Sequence, residues 1–409
     1  MKNLILFILF LAIPICVFSQ KVISGKVVSI NNNPLEGASV YINNSSIGTT
    51  TNIDGEFSLS VKAGTFDVIV SYLGYKTLQY SFNSEIFKSK LVFKLEEDAN
   101  MLDEIVIYNT KYNKEWEHNL QTFRDSFIGK TEMAKNCEIL NPKVLHFIFD
   151  APNVKLTAIA KEPLQIKHKG LGYLITFDLA SFVQEKNTVT YLGFSKYEQL
   201  EGNKRKQRKW KKNRLKTYNG SAIHFAKSLL KNNFKEEGFI VHQFKRVPNP
   251  DRPSDAAIKK ARELIKLHQA TINFSRNIEN PVTALDSALV ISRKSSMPKF
   301  QDYLYKSDIS LEDIVTEKDT KNFLAFENCL SVIYTREKEE KGFITRNFGA
   351  PERNPGPQTS SILKLDENPY IDKTGSIIDP LAIFYEGYWS YEKFANTLPL
   401  DYEPILSEQ

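Results

Sequence analysis

Val22-Ile23-Ser24-Gly25-Lys26-Val27-Val28, then Pro34-Leu35-Glu36-Gly37-Ala38-Ser39-Val40, then Asp54-Gly55-Glu56-Phe57-Ser58-Leu59, then Gly74-Tyr75: this stretch alternates residue types and interrupts the alternation with turns. Val22, Ser24, Lys26 and Val28 against Ile23, Gly25 and Val27 read as a strand, because successive strand side chains point to opposite faces. Asn31-Asn32-Asn33-Pro34 supplies a turn, since Asn tolerates positive φ and Pro fixes its own. Asp54-Gly55 is a hairpin signal, and Phe57, Leu59 and Val61 then point inward together. Thr65 to Tyr72 and Tyr80 to Leu95 complete the pattern. Roughly seven short strands with turns every ~8–12 residues predict a sandwich of two packed sheets over residues 20–98.

The order and spacing of Gly25, Pro34-Leu35-x-Gly37-Ala38-x-Val40, Gly48-Thr49, Asp54-Gly55-x-Phe57-x-Leu59, Gly64 and Gly74-Tyr75 resemble the carboxypeptidase-regulatory-like domain, a transthyretin-like sandwich. That resemblance implies a module without catalytic groups of its own. It accompanies zinc carboxypeptidases and also forms the N-terminal extension of many TonB-dependent outer-membrane importers of Gram-negative bacteria, so it implies an envelope protein rather than a peptidase. Leu102-Asp103-Glu104-Ile105-Val106-Ile107 follows in a 99–112 linker and is similar to the TonB box of those importers, an extended docking peptide. A retained last strand or linker is the alternative. An importer needs a closed barrel of many ~10-residue alternating strands, and the remaining chain has mixed character, so an importer is not expected.

Met1-Lys2-Asn3 followed by the apolar run Leu4 to Val17 reads as an export signal, too short to span a bilayer comfortably. Cys16 follows Ile13-Pro14-Ile15, where a lipid-attachment site wants small residues, so cleavage is expected between Ser19 and Gln20. An uncleaved anchor is the alternative. Cys137 and Cys329 can pair in an oxidising compartment or remain two buried thiols. Charge is uneven: residues 20–98 hold seven Lys/Arg against eight Asp/Glu, and residues 99–409 hold 46 against 40.

Beyond the linker the period changes. Trp116, Leu120, Phe123 and Phe127 recur at helical spacing and predict a helix over 113–135. Short strands are expected at 144–149, 155–160, 164–168, 172–182 and 188–194, with connections too short for helical crossovers and therefore antiparallel. Ser221 and Ser254 are candidate caps for two helices, and strands return near 323–334, 361–365 and 381–385. The chain thus reads as multi-domain: a 1–19 signal peptide, the all-β sandwich of residues 20–98, the linker, and a 113–409 α+β domain with one large, mainly antiparallel sheet. Phe127-Ile128-Gly129, Asn141-Pro142, Tyr218-Asn219-Gly220-Ser221 and Gly387-Tyr388-Trp389-Ser390 resemble segments of a group of exported proteins that carry the same module without a barrel.

The zinc carboxypeptidase chemistry suggested by the module's name needs a His-x-x-Glu pair plus a distant His. None of His118, His146, His168, His224, His242 or His268 has Glu three residues on. No Gly-x-Ser-x-Gly elbow and no phosphate-binding glycine loop occurs. Asn219-Gly220-Ser221 with His224 nearby reads better as a helix cap than as a nucleophile. No catalytic, cofactor or metal residue is therefore assigned. Lys204-Arg205-Lys206-Gln207-Arg208-Lys209-Trp210-Lys211-Lys212-Asn213-Arg214-Leu215-Lys216 is the strongest local anomaly, with nine basic residues in thirteen. In an exported protein the polyanions it would meet are lipid headgroups or acidic glycans rather than nucleic acid. The other reading is a solvated hairpin whose like charges repel. Tyr370, Phe384, Tyr385, Tyr388, Trp389 and Tyr391 offer either a sugar-stacking platform or core.

Three functions remain in play. The first is a non-catalytic envelope protein binding a protein partner or an anionic or glycan surface. The others are a hydrolase with a scattered site in 113–409 and an accessory factor of TonB-dependent uptake.

Overall fold

The computed structural model describes residues 21–87, 90–98, 112–268, 278–346, 353–365 and 369–404. The expected signal segment with its Ser19–Gln20 cleavage site, and the docking string Leu102–Ile107, lie outside them.

Seven strands build the first unit: β1 (Lys21–Ser29), β2 (Ser39–Ile42), β3 (Gly48–Thr50), β4 (Glu56–Val61), β5 (Thr65–Ser71), β6 (Leu78–Asn83) and β7 (Leu91–Leu95). They form two sheets, ordered β4-β1-β7 and β3-β2-β5-β6. The inward set Phe57, Leu59 and Val61 of β4 meets Val27, Val40, Val68, Val70 and Phe93 in one apolar core. Gly25 is required by close approach, because a Cβ there would stand 2.3 Å from the Leu91 carbonyl and 2.7 Å from the Phe57 ring.

The second unit opens with α1 (Lys114–Phe127), capped by the Asn113 side chain accepting from the Trp116 amide. The helix is shorter than its periodicity predicts. Gly129 adopts φ +100, which turns the chain out of the helix while its N–H still donates to the Arg124 carbonyl. Phe123 and Phe127 lie against an antiparallel sheet of β8 (Cys137–Ile139), β9 (Leu145–Asp150), β10 (Lys155–Ala160), β11 (Leu164–His168), β12 (Tyr173–Glu185) and β13 (Thr188–Gln199). Its order is β8-β11-β12-β10-β9, with β13 along the other side of β12.

Next come α2 (Lys204–Tyr218), α3 (Ala222–Leu230), β14 (Phe239–Pro248), α4 (Asp255–Leu267), α5 (Ala284–Lys294), β15 (Phe300–Lys306), β16 (Val315–Lys318) and β17 (Lys321–Leu324). The chain ends with β18 (Cys329–Lys338), α6 (Lys341–Ile344), β19 (Pro357–Lys364), β20 (Tyr370–Ile371), β21 (Ile377–Ile378), β22 (Ile383–Gly387) and α7 (Tyr388–Glu392). The single large sheet expected here is divided. One antiparallel sheet runs β15-β14-β18-β19-β22, and a smaller one runs β16-β17-β20-β21. The physical reason is a second core, in which Phe225 and Leu229 of α3 pack on Phe239, Val241, Leu330 and Val332. Ser221 and Ser254 cap α3 and α4 as their positions predict. Cys137 and Cys329 are unpaired buried thiols in different sheets.

The last segment returns to the first sheet. Ala395 N–H donates to the Ile128 carbonyl, His168 Nε2 lies 2.9 Å from the Ala395 carbonyl, and Phe394 stacks on Phe127 at 4.7 Å between ring centres. Residues 388–398 therefore bridge both cores.

Candidate functional site

The basic run is a fifteen-residue helix rather than a hairpin. Trp210, at 7% exposure, fills a slot against Gly172 and Gly202, and its Nε1–H donates to the Lys169 carbonyl at 2.9 Å. One turn on, Asn213 Nδ2 donates to the Gly170 carbonyl at 2.7 Å. Arg214 Nε donates to the Leu171 carbonyl at 2.7 Å, with its guanidinium 4.0 Å from the centre of the Tyr173 ring. Thr217 and Tyr218 continue this buried stripe. Arg214, included among the candidate surface-binding residues, is thus an anchor turned toward the protein.

The other face carries Lys204, Arg205, Lys206, Arg208, Lys209, Lys211 and Lys212, all exposed. None forms an ion pair among the described residues. No acid occupies the first turn, so the charges add to the positive end of the helix dipole instead of opposing it. Lys204 with Arg208, Arg205 with Lys209, and Arg208 with Lys212 are like-charged i,i+4 pairs, each destabilising by about 0.2–0.5 kcal/mol. The anchored stripe holds together a helix whose free face repels itself.

Ser221 and His224 do not form a nucleophile–base pair. Ser221 Oγ accepts the His224 backbone N–H at 3.1 Å, as a cap does. The His224 Nδ1 accepts the Gly220 N–H, and its Nε2 faces Glu237 at 3.3 Å. Burial lowers the His224 pKa, with Glu237 opposing.

One cavity adjoins these elements and another lies away from them. The first, of about 440 Å³, is shared by both sheets and the 388–402 segment, with Tyr191, Thr217, Tyr385, Trp389, Glu392 and Lys393 in its walls. Burial raises the Glu392 carboxyl well above the ordinary range, helped by Glu340 and Glu337. Burial also lowers the Lys393 and Lys227 amines. Of the aromatic cluster expected to be platform or core, Tyr388 is core, Tyr385 and Trp389 line this cavity, and Tyr370 packs on Phe323 in the small sheet. Tyr391 donates to Glu340 at 3.3 Å. The remaining lining residues carry no local signature, because they come from chain segments about two hundred positions apart.

The second cavity, of about 530 Å³, lies where the sandwich meets the body, between Tyr72, Tyr75 and Thr77 on one side and His146, Glu162 and Asp178 on the other. Thr77 Oγ1 donates to Asp178 Oδ2 at 2.7 Å, opposing the burial that raises the Asp178 pKa. The sandwich docks through backbone as well. Asn44 N–H donates to the Ser195 carbonyl at 2.8 Å and Tyr197 N–H to the Ser45 carbonyl at 2.9 Å, joining the β2–β3 turn to β13. Asp401 accepts the Ser46 N–H at 2.8 Å, and Lys62 pairs with Glu403 at 2.7 Å. Among the described residues no cluster of three or more His, Cys, Asp and Glu side chains could hold a metal ion, and no helix is long and apolar enough to cross a membrane.

Residues 23–107 match the family model described as the CarboxypepD_reg-like domain. The resemblance carried by Gly25 through Gly74-Tyr75 is thereby established for that region, which extends through the Leu102–Ile107 string. The chain is 30% identical over 107 residues to the TonB-dependent receptor SusC of Bacteroides thetaiotaomicron, an alignment covering 26% of this chain and 10% of the receptor. The match thus spans about a tenth of that relative's length. Among solved structures, a DUF3823 family protein of Bacteroides ovatus aligns at 9% identity over 45% of this chain and 83% of its own, with a TM-score of 0.15. A protein of unknown function from Bacteroides fragilis, described as membrane-associated, aligns at 10% identity over 90% and 93%, also with a TM-score of 0.15.

Proposed function

We propose that this is a non-catalytic protein of the cell envelope that holds to an anionic surface through the outward face of α2. The supporting observation is the helix itself: seven exposed cations without ion-pair partners among the described residues, carried on a stripe fixed by Trp210, Asn213 and Arg214. Among the described residues nothing offsets the repulsion of this face, and an anionic surface would relieve it. Near an anionic membrane each such residue contributes about 1 kcal/mol, so a handful in register gives useful adhesion where one would not. The envelope setting rests on the export-type segment ending at Ser19–Gln20 and on kinship of the sandwich with part of a TonB-dependent receptor. Division into a 20–98 sandwich, a 99–112 linker and a 113–409 body belongs to the same proposal.

Vesicle co-sedimentation tests it. The chain is expected to pellet with phosphatidylglycerol-containing vesicles at low salt and to release as salt is raised, because exposed charges are screened. Replacing Lys204, Arg205, Lys206, Arg208 and Lys209 by Gln should abolish pelleting while leaving the circular dichroism spectrum intact. Retention of vesicle binding by that folded variant refutes the assignment.

A further inference from the structure

The cavity behind α2 is unlike the helix's outer face. Tyr191, Tyr385 and Glu392 are half-buried and line the cavity, as in a concave site rather than a core. Its aromatic wall is fixed. Trp389 Nε1–H donates to the Gly220 carbonyl at 2.7 Å, and the Tyr385 ring stands at 90° to the indole with centres 5.4 Å apart. Thr217, 3% exposed, also lines the cavity, and its Oγ1 has no hydrogen-bond partner among the described residues. A buried hydroxyl left so is unfavourable by about 1–3 kcal/mol. Backbone strain lies alongside: Lys393 holds φ +54 and ψ −162, a conformation that favours glycine and costs about 1–3 kcal/mol. Gly129 makes room for it, since a Cβ there would stand 2.9 Å from the Lys393 Cβ.

We propose that this cavity binds a neutral sugar ring, stacked on the Trp389–Tyr385 wall with hydroxyls directed at Thr217 and Glu392. Charge selects the class. The lining carries groups of both signs, Glu392 against Lys227 and Lys393, so it selects neither an anion nor a cation. Lys227 is already committed, with Nζ donating to the Leu400 and Tyr402 carbonyls at 3.2 Å. Burial raises the Glu392 pKa and lowers that of Lys393, so the cavity disfavours charge of either sign and a neutral ligand suits it best. A wholly apolar ligand would leave Thr217 unpaired. A pyranose offers both needed surfaces, a face of weakly positive C–H groups for the negative ring faces and a hydroxyl edge for the polar ones. The volume falls in the small-ligand range of roughly 300–1,000 Å³ and accommodates one or two rings.

The test uses the purified full chain, with methyl glucoside, methyl galactoside, methyl mannoside, maltose, cellobiose and lactose as probes. Binding is followed by saturation-transfer NMR and tryptophan fluorescence. At least one of these sugars is expected to bind saturably, with ring C–H protons receiving the strongest transfer. Trp389→Phe should weaken that sugar about tenfold, equivalent to roughly 1.4 kcal/mol. Thr217→Val is nearly isosteric and removes an unpaired group, so it should weaken binding several-fold without lowering the melting temperature. It decides the question should the tryptophan variant not fold. The proposal falls if none of the six sugars binds at tens of millimolar, if glucuronate, glucosamine or naphthol binds more tightly than all of them, or if Thr217→Val leaves the affinity unchanged.

Discussion

The sandwich and the body solve burial differently. Among the described residues of the sandwich the buried polar side chains are hydroxyls, those of Ser29, Ser45, Thr51 and Ser84, and the Tyr41 ring is buried too. In the body, imidazoles and ionisable or amide groups go inside: His146, His168, His224, Asn119, Gln243, Asp286, Glu339 and Asp372. The sandwich hydroxyls are satisfied by neighbouring backbone, as Thr51 is by the Ala38 N–H and Ser84 by the Lys62 carbonyl. Burying a titratable group requires dedicated partners and is unfavourable without them. The contrast is one of burial: the sandwich hides only hydroxyls among its described polar side chains, and the body also desolvates ionisable and amide groups.

The contrast can be pressed hardest at glycines. In the body, Gly172→Ala would place a Cβ 2.2 Å from the Trp210 ring at φ +73, and overpacking plus strain predict a loss of about 3–4 kcal/mol by urea unfolding, with α2 detached. In the sandwich, Gly25→Ala meets the Leu91 carbonyl and the Phe57 ring, and a loss of about 2–3 kcal/mol is expected, confined to β1, β4 and β7 in hydrogen exchange. Equal spread of both effects over the whole chain would erase the distinction.

Acid sharpens it next. The His168 Nδ1 accepts the Leu171 N–H while its Nε2 meets the Ala395 carbonyl, so the neutral ring fits and a second proton does not. Burial lowers the pKa of both His168 and His224. The folded body therefore binds fewer protons than the unfolded chain below the ordinary histidine pKa, and stability present above about pH 6.5 is lost as pH falls, by up to about 1.4 kcal/mol per unit for each ring. Residues 20–98 contain no histidine. Exchange protection in the body should drop between pH 6.5 and 5 while the sandwich stays protected, and His168→Gln should flatten the dependence. The smallest effect belongs to their junction: the exposed Lys62–Glu403 pair is worth about 0–1 kcal/mol, and Glu403→Gln should lower the melting temperature only slightly.

The sandwich was legible because its signals are local: Asp54-Gly55 and the alternation of Phe57, Leu59 and Val61 each lie within a few residues. In the body, strands at 155–160 and 164–168 and the caps Ser221 and Ser254 were equally plain. The helix at 204–218 is hard to read because its charge masks the spacing of Trp210, Asn213 or Arg214, and Thr217, which is the three-to-four-residue repeat of a buried stripe. The division into separate sheets and the makeup of the cavity depend on contacts such as His168 with Ala395, which no short window of sequence contains.

One junction carries a consequence for handling the molecule. β13 pairs with β12 along one side only, and its opposite side receives Asn44 and Ser45 from the sandwich. The sandwich thus acts as a stopper on an otherwise open ribbon edge, the kind of edge that recruits strands from other molecules. Cut the chain after the sandwich, and the released body exposes the amide ladder at Ser195–Tyr197, a ready template for fibrous self-association.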